Sequence, residues 1–305
     1  MEYFIICLAV VCFTGQFAFT KVFEKSVKPD FVNTLVMLVV TSLFGALIFL
    51  IVNGFTVQFS WFSFLLAVFF AFIMMPYYLV GVKVLALGSL AVYSIFMMLG
   101  GMLVPFLYGL IFLNEGITVC KIIGTIMLSV FIIMQGVAQD NEGEKVAEDK
   151  TKKSKKRLFF FLCLIIFFIN GLTGVIAKAH EIGSKSVNEA SFSVTYCFLT
   201  AVFSFIFLCV FALLKRKTKP ISVKRVLKLK PIIIMLFIGA SAYIGNYLHL
   251  AVAEKVPASV QFPLVSGGVI VLSAIVSRVI FREKISKVEW ISVFGALVST
   301  ILFAF

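Results

Sequence analysis

The chain is built from apolar stretches, each about as long as a bilayer is thick, and this limits its fold more than any other feature. A helix rises 1.5 Å per residue, so roughly 20 mostly apolar residues cross a hydrocarbon core of about 30 Å. Ten such segments lie at 3–22, 31–52, 60–82, 89–112, 118–138, 158–178, 190–214, 231–251, 258–278 and 287–304. Pro, Gly, Asn or charge separates them, as helix ends require. Nothing alternates with period two over ten residues, which argues against a transmembrane barrel. The 305 residues are 62% hydrophobic and 13% charged, against roughly 45–50% and about 25% in a soluble domain. No aqueous fold could bury so much apolar surface, so lipid is the expected solvent. The expected class is an all-α integral membrane protein of ten transmembrane helices.

One stretch breaks the pattern. "QDNEGEKVAEDKTKKSKKR", 139–157, is charged with both signs and reads as a solvated linker. Five segments precede it and five follow. The organisation expected is therefore a first repeat over 1–138, the linker over 139–157, and a second repeat over 158–305.

A duplication test supports this division. Moved back by 168 positions, Glu283 of "IFREKISKVEW" falls on Glu115 of "FLNEGITVCK", Gly268 on Gly100, Val260 on Val92 and Val252 on Val84. Moved back by 157, "AKAHE" at 177–181 falls on "TKVFE" at 20–24, so Lys178 meets Lys21 and Glu181 meets Glu24. Five spans is an odd number, so a second copy enters the membrane from the opposite side. Inverted repeats of this kind are the plan of many secondary transporters, with the substrate site near the midplane. Glu115 and Glu283 stand near expected helix N-termini, where the helix dipole favours a carboxylate, so capping is the role expected of both.

These residues carry a family resemblance. "PFLYGLIFLNEGITVCKIIG", 105–124, and "SAIVSRVIFREKISKVEWISVFG", 273–295, resemble the repeat ends of the EamA-like branch of the drug/metabolite transporter superfamily. Asn114 and Arg282 depart from the small residue usual before the Glu, and the second copy lacks a counterpart of Pro105. The resemblance implies a ten-helix fold and the export of a small metabolite. It also implies termini on the cytoplasmic side.

Charge implies the reverse orientation. Of 27 Lys and Arg, all but Lys121, Lys178, Lys185 and Lys255 fall on the side of links one–two, three–four, five–six, seven–eight and nine–ten. Cytoplasmic loops collect basic residues, so the linker is expected to be cytoplasmic, both termini outside, and the location a cell membrane. The net charge of +13 reads as topogenic charge and attraction to anionic headgroups, not as a nucleic-acid surface. The apolar N-terminus lacks a basic leader and is expected to be retained as the first span. The six cysteines show no metal or redox spacing and read as packing residues. No cofactor or metal is expected, and the oligomeric state expected is monomer or homodimer.

Within spans, polar side chains are costly and become site candidates. Gln16, Tyr77, Tyr78, Tyr93, Asn170, Tyr243, Asn246, Tyr247, His249 and Gln261 are the substrate-binding candidates. Tyr243, Asn246 and Tyr247 are spaced to share one helix face. Interhelical hydrogen bonding is the competing role for each. No Asp or Glu lies mid-span, so proton coupling through a buried carboxylate is disfavoured. Lys21 and Lys178 are gate candidates, with a surface ion pair to the Glu three residues on as the simpler reading. The function expected is export of an amino acid or related metabolite by alternating access. Two alternatives remain: an anionic sugar-phosphate-type exchanger using Lys21, Lys83 and Lys178, or a lipid-translocating protein. No H-E-x-x-H, paired intramembrane Asp or nucleotide-binding loop is present, so neither an enzyme nor an ATP-driven pump is expected.

Overall fold

The computed structural model describes residues 2–27, 30–112, 118–127, 130–131, 134, 150–215, 226–253, 256 and 258–302. These form ten helices and no strand: α1 (Glu2–Ser26), α2 (Phe31–Val52), α3 (Trp61–Leu87), α4 (Leu90–Phe112), α5 (119–127), α6 (Lys150–Glu181), α7 (Glu189–Lys215), α8 (Leu229–Ala253), α9 (Ala258–Val279) and α10 (Lys287–Leu302). Seven are long and apolar enough to cross a membrane: α1 to α4, and the Ser154–Glu181, Glu189–Leu214 and Leu229–His249 portions of α6, α7 and α8. In α9 the stretch Leu264–Val279 is apolar but shorter. Large side chains such as Phe4, Phe69, Phe72, Phe168 and Phe205 stand more than half exposed on these helices, as a multi-pass membrane protein requires of a lipid-facing surface.

Helix α6 begins at Lys150, eight residues before the expected span and inside the stretch expected to be a solvated linker. Its first turns, "KTKKSKKR", are made mainly of Lys and Arg, which are good helix formers when their charges reach water. Residues 139–149, and Glu115 with the rest of 113–117, lie outside the described residues.

Contacts divide the chain into two compact units, and each draws on both halves of the sequence. The first comprises Met1–Ala18, Leu87–Val175 and Gly245–Phe305; the second comprises Phe19–Ala86 and Ile176–Ile244. The boundaries recur along the chain. Those after Ala18 and Val175 are 157 positions apart, and those after Ala86 and Ile244 are 158 apart.

In the first unit α4 packs against α9, and α10 packs against both. Glycines permit close approaches here. A Cβ on Gly100 would overlap the backbone carbonyl of Phe167, and one on Gly268 would lie 2.9 Å from Val10. Gly100 and Gly268 are 168 positions apart, and Val10 and Phe167 are 157 apart. The "IFREKISKVEW" stretch is a clasp in this unit. Glu283 accepts a hydrogen bond from the Leu90 N–H at the start of α4 at 3.1 Å, and another from the Ser277 hydroxyl. Ser286 and Glu289 form a reciprocal capping box on α10, while Glu289 also accepts from Ser89 at 3.2 Å. Glu283 thus caps a helix, as its type and position suggested, but the helix lies 193 residues away in sequence.

In the second unit α2 runs along α7. The Tyr243 ring lies against Gly45, where a Cβ would overlap it, and meets Phe49 edge-on at 5.8 Å. Asn188 caps α7 by accepting the Ser191 N–H at 2.8 Å.

Candidate functional site

The sequence-derived candidates fall into two groups, one in each unit. Lys21, Tyr77, Tyr78, Lys178 and Tyr243 belong to the second unit; Gln16, Tyr93, Asn170, Asn246, Tyr247, His249 and Gln261 belong to the first.

In the second unit, Tyr78 and Tyr243 are hydrogen-bond partners, and the Cys197 thiol bonds with Tyr243 and Tyr196. Tyr77 meets Tyr78 edge-on at 5.1 Å, and Phe70 lies 4.4 Å from Tyr196. Phe49, Cys197, Ala242 and Tyr243 form one buried core. Helices α2, α3, α7 and α8 converge here because the small Gly45 admits an aromatic ring. The knot offers hydroxyl, thiol and aromatic faces and no charge. Tyr196 and Cys197 were not anticipated as members, because a Tyr and a Cys in an apolar helix read equally well as packing.

In the first unit, the amide of Asn170 donates to the Met97 carbonyl at 2.6 Å and lies against Gly101. Here the interhelical hydrogen-bond role is the one seen. Gln261, 1% exposed, donates to the His249 carbonyl. The His249 ring meets Phe13 edge-on at 6.4 Å, and Phe17 meets Tyr93 edge-on at 5.3 Å. Gln16 is buried, while Asn246 and His249 are partly so.

The eighth-span cluster does not act as one patch. Tyr243 is 6% exposed and Tyr247, one turn on, is 42% exposed. Helical spacing aligned them, but the surroundings of α8 change between Ile244 and Gly245. The gate candidates also differ. Lys21 is 2% exposed and interacts electrostatically with Glu24, whereas Lys178 is partly exposed.

The second unit also contains a constellation absent from the sequence-derived candidates. His180, 1% exposed, lies between Ser63 and Glu189, with Nε2 3.1 Å from the Ser63 Oγ and Nδ1 3.1 Å from the Glu189 carboxylate. Its ring stacks on Phe192 at 4.0 Å. The Val187 N–H donates to Ser63 Oγ at 3.0 Å. Around this core, polar groups join the α2–α3 link to the start of α7. Asn53 donates to Ser191 Oγ at 2.9 Å, the Gln58 N–H donates to the same oxygen at 3.0 Å, and Asn188 donates to Asn53 at 3.1 Å. Ser60 donates to the Lys185 carbonyl at 2.6 Å. Apart from His180 with Glu189 and Phe192, the partners are over 100 residues apart, and no local spacing could have signalled them.

No family model matches this chain, and no curated protein does. A solved structure described only as "Crystal structure of protein" covers 99% of this chain and 97% of its own, with a TM-score of 0.56 and 15% identity. At that identity the likeness concerns the fold alone.

Proposed function

We propose that this chain is a secondary transporter of the EamA-like kind, with ten spans in two inverted five-helix repeats, exporting a small neutral metabolite such as an amino acid by alternating access. One observation supports the reading: unit boundaries and glycine contacts recur at the spacings of the sequence matches. Unit boundaries recur at 157 and 158 positions. The contact of Gly100 with Phe167 has its counterpart in Gly268 with Val10, at offsets of 168 and 157. Helices in equivalent positions, α2 with α7 and α4 with α9, pack pairwise. Such recurrence supports a structural duplication, and inverted duplications are the plan of many secondary transporters.

The polar groups inside the helices favour a neutral solute. Hydroxyls, amides and aromatic faces dominate, and the buried Lys21 already interacts with Glu24, which weighs against the anionic-exchanger alternative. A thermal-shift panel on the purified protein tests the class, using amino acids, nucleosides, sugar phosphates and cationic dyes. A ligand that binds only the folded state raises the melting temperature by mass action. Stabilisation by a neutral amino acid or nucleoside, lost on Asn246→Ala, supports the reading. Stabilisation by sugar phosphates alone, lost on Lys178→Ala, overturns it in favour of the exchanger.

A further inference from the structure

We propose that the α2–α3 link, residues 53–60, is an interfacial anchor whose apolar edge lies among lipid acyl chains just beneath the headgroups of one leaflet. The partner is the bilayer surface. The inference needs only a membrane-spanning fold, not the transport activity proposed above.

The link begins with a turn that holds an aromatic ring outward. Helix α2 ends in a Schellman motif: the Phe55 N–H donates to the Leu50 carbonyl at 2.8 Å and the Gly54 N–H to the Ile51 carbonyl at 3.1 Å, with Gly54 at φ 61°. Such a motif requires a positive φ of its glycine alone. Phe55 takes φ 59° as well, which is an outlier for a bulky side chain. Asn53 and Thr56 lock the turn. The Thr56 hydroxyl donates to the Asn53 carbonyl at 2.7 Å, and the Asn53 amide donates to the Thr56 carbonyl. An apolar residue after the glycine frequently packs back on the last helical turn. Phe55 instead stands 69% exposed. Strained backbone of this kind persists only where its surroundings over-determine it.

Beyond the turn the residue types alternate. Phe55, Val57, Phe59 and Trp61 are 50–70% exposed, and Phe59 meets Trp61 edge-on at 5.3 Å. Between them, the Gln58 side chain accepts from the Asn188 N–H at 3.2 Å and Ser60 donates to the Lys185 carbonyl. One edge of the link is thus bonded to the start of α7 and the turn before it, and the other is apolar and open. Lipid suits the open edge for three reasons. It continues two lipid-facing stripes: Leu43, Leu47 and Ile51 lead down α2 to Phe55, and Leu65 and Phe69 carry on from Trp61 along α3, all exposed and all at i, i+4 spacing. No charged residue occurs from Phe31 to Val82, so nothing draws the link into bulk water. Finally, lipid-exposed irregular backbone does not occur within the hydrocarbon, whereas Trp and other amphipathic rings gather at headgroup level. The boundary between headgroups and chains is the depth that satisfies both edges, and it places the polar clasp at the membrane surface.

Tryptophan depth in proteoliposomes of the full-length protein tests this without any solute, so a failure of the transporter reading leaves the result interpretable. The chain has 2 Trp. Trp290→Phe leaves the native Trp61 as the reporter, and Phe55→Trp combined with Trp61→Phe and Trp290→Phe moves the reporter to the turn. Lipids brominated near the headgroup end of their chains quench at that depth, lipids brominated near the chain ends quench at the bilayer centre, and acrylamide quenches from water. Both reporters should emit at short wavelength, lose more intensity to the shallow bromines than to the deep ones, and resist acrylamide. Quenching by acrylamide without quenching by bromines, at either site, overturns the proposal, because the edge then faces water. Protection from both quenchers also overturns it, since protein such as a second copy of the chain then covers the edge. Stronger quenching by the deep bromines overturns the interfacial placement.

Discussion

Replacing Glu283 with Ala tests the reasoning from motif to architecture. The carboxylate satisfies the first N–H of α4 and the hydroxyl of Ser277. Ser89 keeps the N-cap position, accepting the Val92 N–H at 3.2 Å, so what Glu283 adds is the one bond to the Leu90 N–H, whose loss costs about 1 kcal/mol. Loss of a negative charge at a helix N-terminus costs roughly 0.3–1 kcal/mol. A hydroxyl left without its acceptor adds about 1 kcal/mol. The expected destabilisation is about 2–3 kcal/mol in total. Glu283→Gln keeps one oxygen and loses the charge, so it should cost roughly 0.5–1 kcal/mol. A thiol-reactive dye provides the assay, because Cys163 and Cys197 are buried in the fold and react when it opens. Cys163 belongs to the first unit, with Glu283, and Cys197 to the second. On heating in mild detergent, Cys163 of Glu283→Ala should become reactive at a lower temperature than in wild type, and its shift should exceed that of Cys197. An Ala variant within about 0.5 kcal/mol of wild type, the range of an ordinary surface substitution, would refute the idea that this carboxylate holds α4.

Three further expectations follow from the same geometry. Gly100→Ala and Gly268→Ala should each destabilise by about 1–3 kcal/mol, because the added methyl meets Phe167 backbone in one and Val10 in the other. Gly101→Ala should cost less than Gly100→Ala, since the added methyl meets no backbone but only the amide end of Asn170, at the expense of its bond to Met97; thermal unfolding would rank the three. Gly45→Ala should displace the Tyr243 ring and cost about 1–3 kcal/mol, visible as a change in tyrosine fluorescence and a lower melting temperature. In a background with the native cysteines replaced, Thr56→Cys and Thr218→Cys occupy corresponding links in the two halves, α2–α3 and α7–α8. An impermeant maleimide on intact cells should reach the first and miss the second; labelling of both from one side would contradict inverted repeats.

What could be read from the sequence followed from solvent. Among the described residues, apolar runs of membrane length located the helices, because burial in lipid needs no facial pattern. For the same reason the sequence said little about which helix meets which. Helices such as α2 and α3 are apolar on nearly every side, so no amphipathic stripe marks a partner. That each compact unit draws on both halves of the sequence was invisible, although its boundaries after Ala18 and Val175 share the 157-residue spacing of "TKVFE" and "AKAHE". Glu283 was recognisable as a cap from its chemistry, but Leu90 as its partner was not. Lys150 to Arg157 looked like linker because charge was the only signal, yet charge on a solvated helical turn is no obstacle. Asn170 shows how neutral polar residues divide. The same amide could line a cavity or join two helices, and only the 2.6 Å bond to Met97 assigns it to joining. Ser63, His180 and Glu189 required tertiary contact to come together at all.

Solute counterflow into proteoliposomes bears most directly on the transporter reading. Vesicles holding the purified protein are preloaded with unlabelled amino acids or nucleosides and diluted into trace amounts of the labelled compounds. The account predicts that label of one neutral class accumulates transiently and saturably above equilibrium. Uptake indistinguishable from protein-free vesicles for both classes would contradict it.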